Sequence, residues 1–152
     1  MNRFDFLEYD YPETYKYCSR AEKYFHDGCF EDEAINARTA LSKIVYKHLD
    51  CHIKDPQSRY VDFLESINET EARGIADEHK VNLMHRIRKI GNKGAHPNSW
   101  DPILAGEPEE CLDNLFEVAL WLVVIVKGQK YNFNDFNEED WPMVARYIGQ
   151  NV

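Results

Sequence analysis

The segment Pro108–Lys127 limits the fold most, because its second half is apolar around nearly the whole helical circumference. Pro108 suits the first turn of a helix. The longest apolar run, Ala119–Val126, is far shorter than the roughly 20 residues that a membrane-spanning helix needs, so we expect no membrane anchor. A helix that is apolar on all sides needs cover on all sides. We expect either the central helix of a bundle or a subunit interface formed by Trp121 and Ile125.

The remaining apolar spacing predicts an all-α fold with four to five main helices and a short C-terminal helix. The chain has 152 residues, 43% of them hydrophobic, which is enough for one domain with a core. We expect a bundle over residues 1–128, a packed extension over 129–152 and no strands. A break is expected at 68–71, with Thr70 as a helix cap, and Asp140 is expected to cap the last helix. The other predicted helices span about 12–27, 31–53, 61–67, 77–93 and 141–148.

The charge pattern restricts how this chain contacts nucleic acid. A formal net charge of −9 disfavours general phosphate binding over the whole surface. The only dense basic cluster lies between His85 and Lys93, so any nucleic-acid contact is expected to be local. Its cationic side chains are Arg86, Arg88, Lys89 and Lys93.

The segment from Arg88 to His96 carries the strongest chemical signal in the chain. At about 100° per residue, a helix places its apolar and its polar side chains on opposite sides. We therefore expect the polar row to face solvent or a partner. The apolar stripe holds Leu83, Ile87, Ile90 and Gly94, and the polar row holds His85, Arg88, Asn92 and His96.

Two interpretations of this polar row remain open at the level of sequence. In the first, His96 acts as general acid or base toward a ribose hydroxyl, and Arg88 stabilises charge that develops on the phosphate. In the second, Asn92 and His96 cap the helix C-terminus, where a cation is favoured. Gly91 and Gly94 would then serve only to let another helix approach closely.

The pattern of this segment resembles a known superfamily. Together with Phe4–Leu7, Ala21–Tyr24 and Arg38, the run Ile87–His96 is similar to the HEPN superfamily. It looks most like the HEPN-like helical domain at the N-termini of type I restriction enzyme R subunits. The resemblance covers most of residues 4–127.

The resemblance implies a helical bundle, often dimeric, whose motif residues line a cleft between subunits. Many members are metal-independent ribonucleases with an arginine a few residues before a histidine. Asn92 and His96 match that motif here, whereas Gly91 stands at the arginine position and Arg88 lies about one turn earlier. Ser42 stands where an acidic residue is expected. These departures favour binding without cleavage.

The function predicted from sequence is that of a non-catalytic HEPN-like binding or regulatory module in a prokaryotic nucleic-acid-processing or restriction-type defence system. We expect a homodimer, no cofactor, RNA or other nucleic acid on the Arg88–His96 face, and a larger restriction or helicase-type partner. The alternatives are a metal-independent endoribonuclease that uses His96 with Arg88 and Asn92, and a structural assembly domain. Arg38 either joins this site or forms a structural ion pair. The predicted binding residues are Arg38, Arg86, Arg88, Lys89 and Lys93.

The cysteines and histidines predict no metal site. His48, Cys51 and His52 have the spacing to reach one ion from a single helix, but no second half-site completes a tetrahedron. No CxxC pair occurs, and the N-terminus has no signal-peptide pattern, so we expect reduced thiols and a cytoplasmic location. The four cysteines are Cys18, Cys29, Cys51 and Cys111.

Overall fold

The computed structural model describes residues 1–57, 59–98 and 100–149, and its architecture is the predicted all-α bundle. A two-stranded antiparallel ribbon joins the second and third helices. Short 3-10 turns occupy Asp5–Leu7, Phe133–Asp135 and Glu138–Asp140. The helices are α1 (Pro12–His26), α2 (Phe30–Lys43), α3 (Phe63–Ala72), α4 (Glu78–Ala95), α5 (Glu107–Trp121) and α6 (Trp141–Ile148), and the strands are β1 (Ile53–Lys54) and β2 (Val61–Asp62).

Helix α5 is the central helix, which is one of the two arrangements expected for it. It continues into a π-helical turn over Leu122–Val126, and nearly all of its apolar side chains are buried within this chain. Trp121 is only 5% exposed, whereas Ile125 retains 38% exposure. Trp121 is therefore covered by its own bundle and is not left open for a second subunit.

Helices α2 and α4 approach each other closely through two glycines. A Cβ atom at Gly91 would lie 2.5 Å from Cβ of Arg38, and one at Gly94 would lie 2.7 Å from the backbone oxygen of Glu31. Contacts that short require a neighbour to move, so side chains at these positions are incompatible with the observed packing. The close-packing role considered for Gly91 and Gly94 is thus present in the structure.

The second helix ends earlier than predicted, and the expectation of no strands was wrong. After a π-helical turn over Ile44–His48, the chain leaves the helix at Asp50, which has a φ of 52°. Asp tolerates this left-handed conformation better than most residues. The Cys51 N–H then donates to the Val45 oxygen at 2.9 Å, which closes the helix end before the chain enters β1.

The break predicted at 68–71 is absent, because α3 runs through it. Asp62 caps this helix by accepting a hydrogen bond from the Glu65 N–H at 3.1 Å. Thr70 is buried, and its hydroxyl donates to the Ile67 oxygen at 2.7 Å, so it does not cap a helix. The polar run at 68–71 predicted a break, but the hydrogen bond from the hydroxyl to the backbone satisfies the threonine inside the helix, so the helix continues.

The described part of the predicted C-terminal extension, residues 129–149, packs on the bundle, and positions 150–152 lie outside the described residues. Phe136 is 3% exposed and packs against Phe6. Asp140 precedes α6 but does not cap it, which corrects the prediction. Its carboxylate instead accepts a hydrogen bond from the Arg3 guanidinium at 2.7 Å, which ties the extension to the N-terminal arm.

Within the described residues, none of the helices combines the length and the apolar character needed to span a bilayer.

Candidate functional site

Helix α4 carries most of the predicted site residues, and Asp77 caps its N-terminus by accepting from the Lys80 N–H at 2.9 Å. The polar row does not face solvent as fully as expected. Its side chains differ in exposure along the helix, because α3 and α2 cover part of the row. His85, Arg88 and Asn92 are half-buried, whereas Lys89 and His96 are exposed.

Two of the five predicted binding residues are paired with carboxylates at the start of α5. Arg86 bonds Glu110 through Nε at 2.7 Å and Glu107 through Nη2 at 3.0 Å. Lys93 bonds Glu107 at 2.8 Å. Hydrogen bonds to Glu110 and Glu107 raise the pKa of Arg86, and the hydrogen bond to Glu107 raises the pKa of Lys93. These cations join α4 to α5, and most of their charge is compensated within the chain.

A basic groove lies on the side of α4 that faces α3. This concavity has a volume of about 410 Å³. Only one of its lining residues, Arg86, is engaged by the α5 carboxylates described above. The basic groove is lined by Leu64, Asn82, His85, Arg86, Arg88 and Lys89.

His85 positions the Arg88 guanidinium in this groove. Arg88 Nε lies 3.2 Å from His85 Nδ1, and His85 Nε2 lies 2.8 Å from Asn68 Oδ1. Burial lowers the pKa of His85, and so do the charges of Arg88 and Lys89, so the imidazole is neutral near pH 7. With its proton on Nε2, the ring donates to Asn68 and accepts from Arg88, which satisfies both hydrogen bonds.

Arg88 therefore presents its two terminal amino groups to the groove. Its Nε is used by His85, and none of the hydrogen bonds among the described residues involves its Nη atoms. A guanidinium with both Nη groups available binds phosphate or carboxylate oxygens in a fixed, two-pronged geometry. Sequence reasoning missed His85 and Asn68 as positioning residues. The i, i+3 spacing of His85 and Arg88 was the available signal.

Arg38 places a second guanidinium close to Arg88. Its stem lies across Gly91, and its guanidinium stacks 5.3 Å from the centre of the Phe63 ring. Its Nε is buried without a hydrogen-bond partner among the described residues. Burial and the charge of Arg38 both lower the pKa of Arg88, while Asp62 opposes them.

The structural ion pair expected for Arg38 is not formed within the described part of the chain. The Phe63 ring takes the place that a carboxylate was expected to fill. The region around Arg38 and Arg88 thus holds more positive than negative charge, although the whole chain is acidic.

His96 lies at the far end of α4 from this network. It follows the last helical residue, its N–H donates to the Asn92 oxygen at 2.9 Å, and its side chain is exposed. His96 lies eight positions after Arg88, which corresponds to about 12 Å along the helix axis. Arg88 also turns toward the helix N-terminus, where His85 lies. One chain therefore does not bring Arg88 and His96 to the same phosphate.

The residues considered for a metal have other partners and do not share one helix. His48 Nε2 lies 3.0 Å from the Thr14 hydroxyl, and His52 Nε2 lies 3.1 Å from Asp50 Oδ1. Cys51 is buried beyond the helix end. The described residues contain no group of three or more His, Cys, Asp or Glu side chains arranged to hold a metal ion.

A larger cavity, of about 890 Å³, lies on another part of the surface. It opens between the α1–α2 turn and the loop that joins α4 to α5, and we call it the loop cavity. Lys93 is the only predicted site residue among those that line it. From the sequence, Pro108 indicates only the start of a helix, so the cavity was not anticipated.

Comparison with known proteins defines the family but not an activity. Residues 19–139 match the model of a family described as a domain of unknown function, DUF4145, and the chain belongs to this family. The match includes α2, α3, α4 and α5, and therefore the whole basic groove. Comparisons with curated proteins and with solved structures gave no match.

Proposed function

We propose that this chain is a HEPN-like, non-catalytic module that binds the phosphate backbone of nucleic acid in its basic groove. The proposed setting is a prokaryotic nucleic-acid-processing or restriction-type defence system, in which the chain acts as a homodimer beside a larger partner. The single observation that supports binding most strongly is the Arg88 guanidinium, which His85 positions and whose Nη atoms remain available.

The charges around Arg88 favour an anion of phosphate type. Arg38 lowers the pKa of Arg88, which means that the two cations repel each other across a partly buried region. A phosphate between or beside them would relieve this repulsion and accept the unused N–H groups. Lys89 also lines this groove and is exposed, so it enlarges the positive surface that a nucleic-acid backbone would contact.

The acidity of the remaining surface predicts a small contact. Arg86 and Lys93 are compensated by α5, so they are expected to contribute less than their position in the basic cluster indicates. Binding then depends on about two to three phosphate contacts, and its salt dependence should be correspondingly shallow.

Binding of labelled single-stranded and structured RNA and DNA, followed by fluorescence anisotropy at roughly 50 and 200 mM salt, tests the proposal. We expect Arg88→Gln to weaken binding on every sequence and to lower the salt slope by about one. Arg20→Gln is the matched control, because Arg20 is an exposed arginine on α1. Equal affinities for the two variants, or no binding by the folded wild type, would contradict the proposal.

The endoribonuclease alternative is favoured by one observation, the exposure of His96 directly after the motif helix. In that mechanism His96 would transfer the proton, and Asn92 and Arg88 would assist, with Arg88 supplied by the second copy of a dimer. RNA incubated with EDTA beside the His96→Ala variant distinguishes the two functions. Cleavage that persists in EDTA and is lost in the variant supports the ribonuclease, and binding without cleavage supports the module.

A further inference from the structure

The loop cavity has the dimensions and the walls of a small-molecule site. Its volume of about 890 Å³ lies within the roughly 300–1,000 Å³ that such sites usually occupy. The walls come from two separate stretches of chain and expose more apolar than polar surface. The apolar lining includes Phe25, Phe30, Pro102, Ile103, Leu104 and Pro108.

Part of this apolar wall is open to solvent. Phe30 is 42% exposed and Leu104 is 55% exposed. Each isolated exposure would be ordinary for a protein surface, but here both side chains line the same concavity. A ligand with an apolar body would remove both from water at once.

The charged groups of the cavity favour a cation. Three exposed carboxylates, those of Glu31, Asp32 and Glu109, belong to its lining, and none of them forms an ion pair within the described residues. Lys93 is the only lysine or arginine in the lining, and Glu107 at 2.8 Å and Asp101 at 3.5 Å compensate its charge. The charged side chains that line the cavity therefore carry a net negative charge.

We propose that the loop cavity binds a small organic cation with an apolar ring or chain. The apolar body lies against Phe30 and Leu104, and the ammonium group faces the carboxylates of Glu31 and Glu109. This inference is independent of the proposed function, because none of the residues that line the basic groove lines the loop cavity.

Cys29 provides a built-in reporter for this binding. It lines the loop cavity and is the one exposed cysteine, since Cys18, Cys51 and Cys111 are buried. An aromatic disulfide reagent applied to the native protein therefore modifies Cys29 first. A ligand in the cavity should slow that reaction.

Naphthylmethylamine is the test probe, with naphthylmethanol as its neutral counterpart and naphthoate as its anionic counterpart. Calorimetric titration measures the three affinities, and the rate of thiol modification reports occupancy at Cys29. We expect the amine to bind about five-fold more tightly than the alcohol at low salt, as a few exposed charge contacts allow, and the acid to bind most weakly. The amine should also protect Cys29.

Two sets of variants locate the binding. Leu104→Ala should weaken both amine and alcohol, whereas the Glu31→Gln, Glu109→Gln double variant should lower the affinity of the amine to that of the alcohol. The Glu65→Gln, Glu71→Gln double variant, at two exposed acids on α3, is the charge-matched control and should change nothing. The proposal is overturned if no probe binds, if the alcohol or acid binds as well as the amine, or if the bound amine leaves Cys29 unprotected.

Discussion

Helices α5 and α2 bury their polar groups in opposite ways, although both pack against α4. Where α5 meets α4, Glu107 accepts hydrogen bonds from Lys93 and Arg86 and also from the backbone N–H of Leu104 at 2.8 Å. On α2, Glu33 Oε2 and Arg38 Nε are buried and have no hydrogen-bond partner among the described residues.

The difference shows that the hydrogen-bond partners of a buried polar group, and not its residue type, determine whether it stabilises the fold. Paired groups at the α4–α5 contact hold two helices together and leave little charge for a ligand. Unpaired groups destabilise the fold, because each has lost its hydration without replacement. The proposed binding groove lies beside Arg38, on the side of the molecule where such groups remain.

The largest expected effect concerns Glu33 and pH. Burial raises the pKa of Glu33 to about 8, so the folded chain holds this proton in a range where the unfolded chain releases it. The contribution of Glu33 to stability is therefore greatest below the ordinary carboxyl pKa and falls as pH rises toward about 8. Each pH unit in that window costs roughly 1.4 kcal/mol.

Urea denaturation of wild type and Glu33→Gln, between the ordinary carboxyl pKa and about pH 8, measures how Glu33 changes the free energy of unfolding. The variant cannot ionise, so it should gain stability relative to wild type as pH rises. Glu31→Gln, an exposed acid on the same helix turn, is the control and should follow the wild type. Parallel pH profiles for wild type and Glu33→Gln would show that Glu33 is ionised in the folded chain.

The next largest effect is expected where α2 meets α4. In Gly91→Arg, the new Cβ atom would collide with the Arg38 stem. We expect a loss of about 3 kcal/mol in the free energy of unfolding, at the upper end for overpacking. Combining it with Arg38→Gly, which removes the Cβ atom of the closest contact as well as the rest of the side chain, should recover part of the loss.

Chemical denaturation checks this prediction, with Gly149→Arg as the control. Gly149 is exposed, and a Cβ there would meet nothing within 4 Å. If Gly91→Arg were as stable as Gly149→Arg, α2 and α4 would be able to move apart at this contact, and the close approach would not be required for stability.

A smaller effect is expected at Glu107, in the α4–α5 contact where the charged groups are paired. Burial raises the pKa of Glu107, but hydrogen bonds from Leu104, Lys93 and Arg86 outweigh it and lower the pKa overall. Glu107→Gln should lower stability by about 2 kcal/mol near pH 7, since Lys93 would lose its charged partner. Because the folded pKa is lowered, this contribution is present above the ordinary carboxyl pKa and is lost as pH falls below it. Thermal unfolding near pH 7 and near pH 3 should show a difference between wild type and variant that shrinks in acid.

Much of the fold could be predicted from sequence because it depends on periodicity and on chain breakers. Pro12 and Pro108 each lie in the first turn of a helix, as expected, and α5 is buried as its apolar circumference requires. The early end of α2 could not be predicted, because it depends on a left-handed residue at Asp50 and on the β1–β2 pairing. Both are consequences of tertiary packing and leave little trace in local spacing.

Less of the candidate site was predictable, because charge pairing between helices is not visible in one helix. The sequence places Arg86, Arg88, Lys89 and Lys93 in one basic cluster, yet among the described residues only Arg86 and Lys93 pair with carboxylates. The acids that compensate these two lie on α5, more than a dozen residues along the chain. To predict that these acids pair with α4, one would need to know how α5 packs against α4.

The smallest expected effect tests whether pairing stabilises the α4–α5 contact only where it is buried. Glu110 bonds the same arginine as Glu107, at 2.7 Å, but its side chain is 38% exposed whereas that of Glu107 is 9% exposed. Solvent screens the exposed pair, so Glu110→Gln should lower stability by only about 0.5 kcal/mol, and added salt should reduce the difference further. Urea denaturation at low and high salt measures both. A loss as large as that of Glu107→Gln, unaffected by salt, would mean that Arg86 and not burial organises this contact.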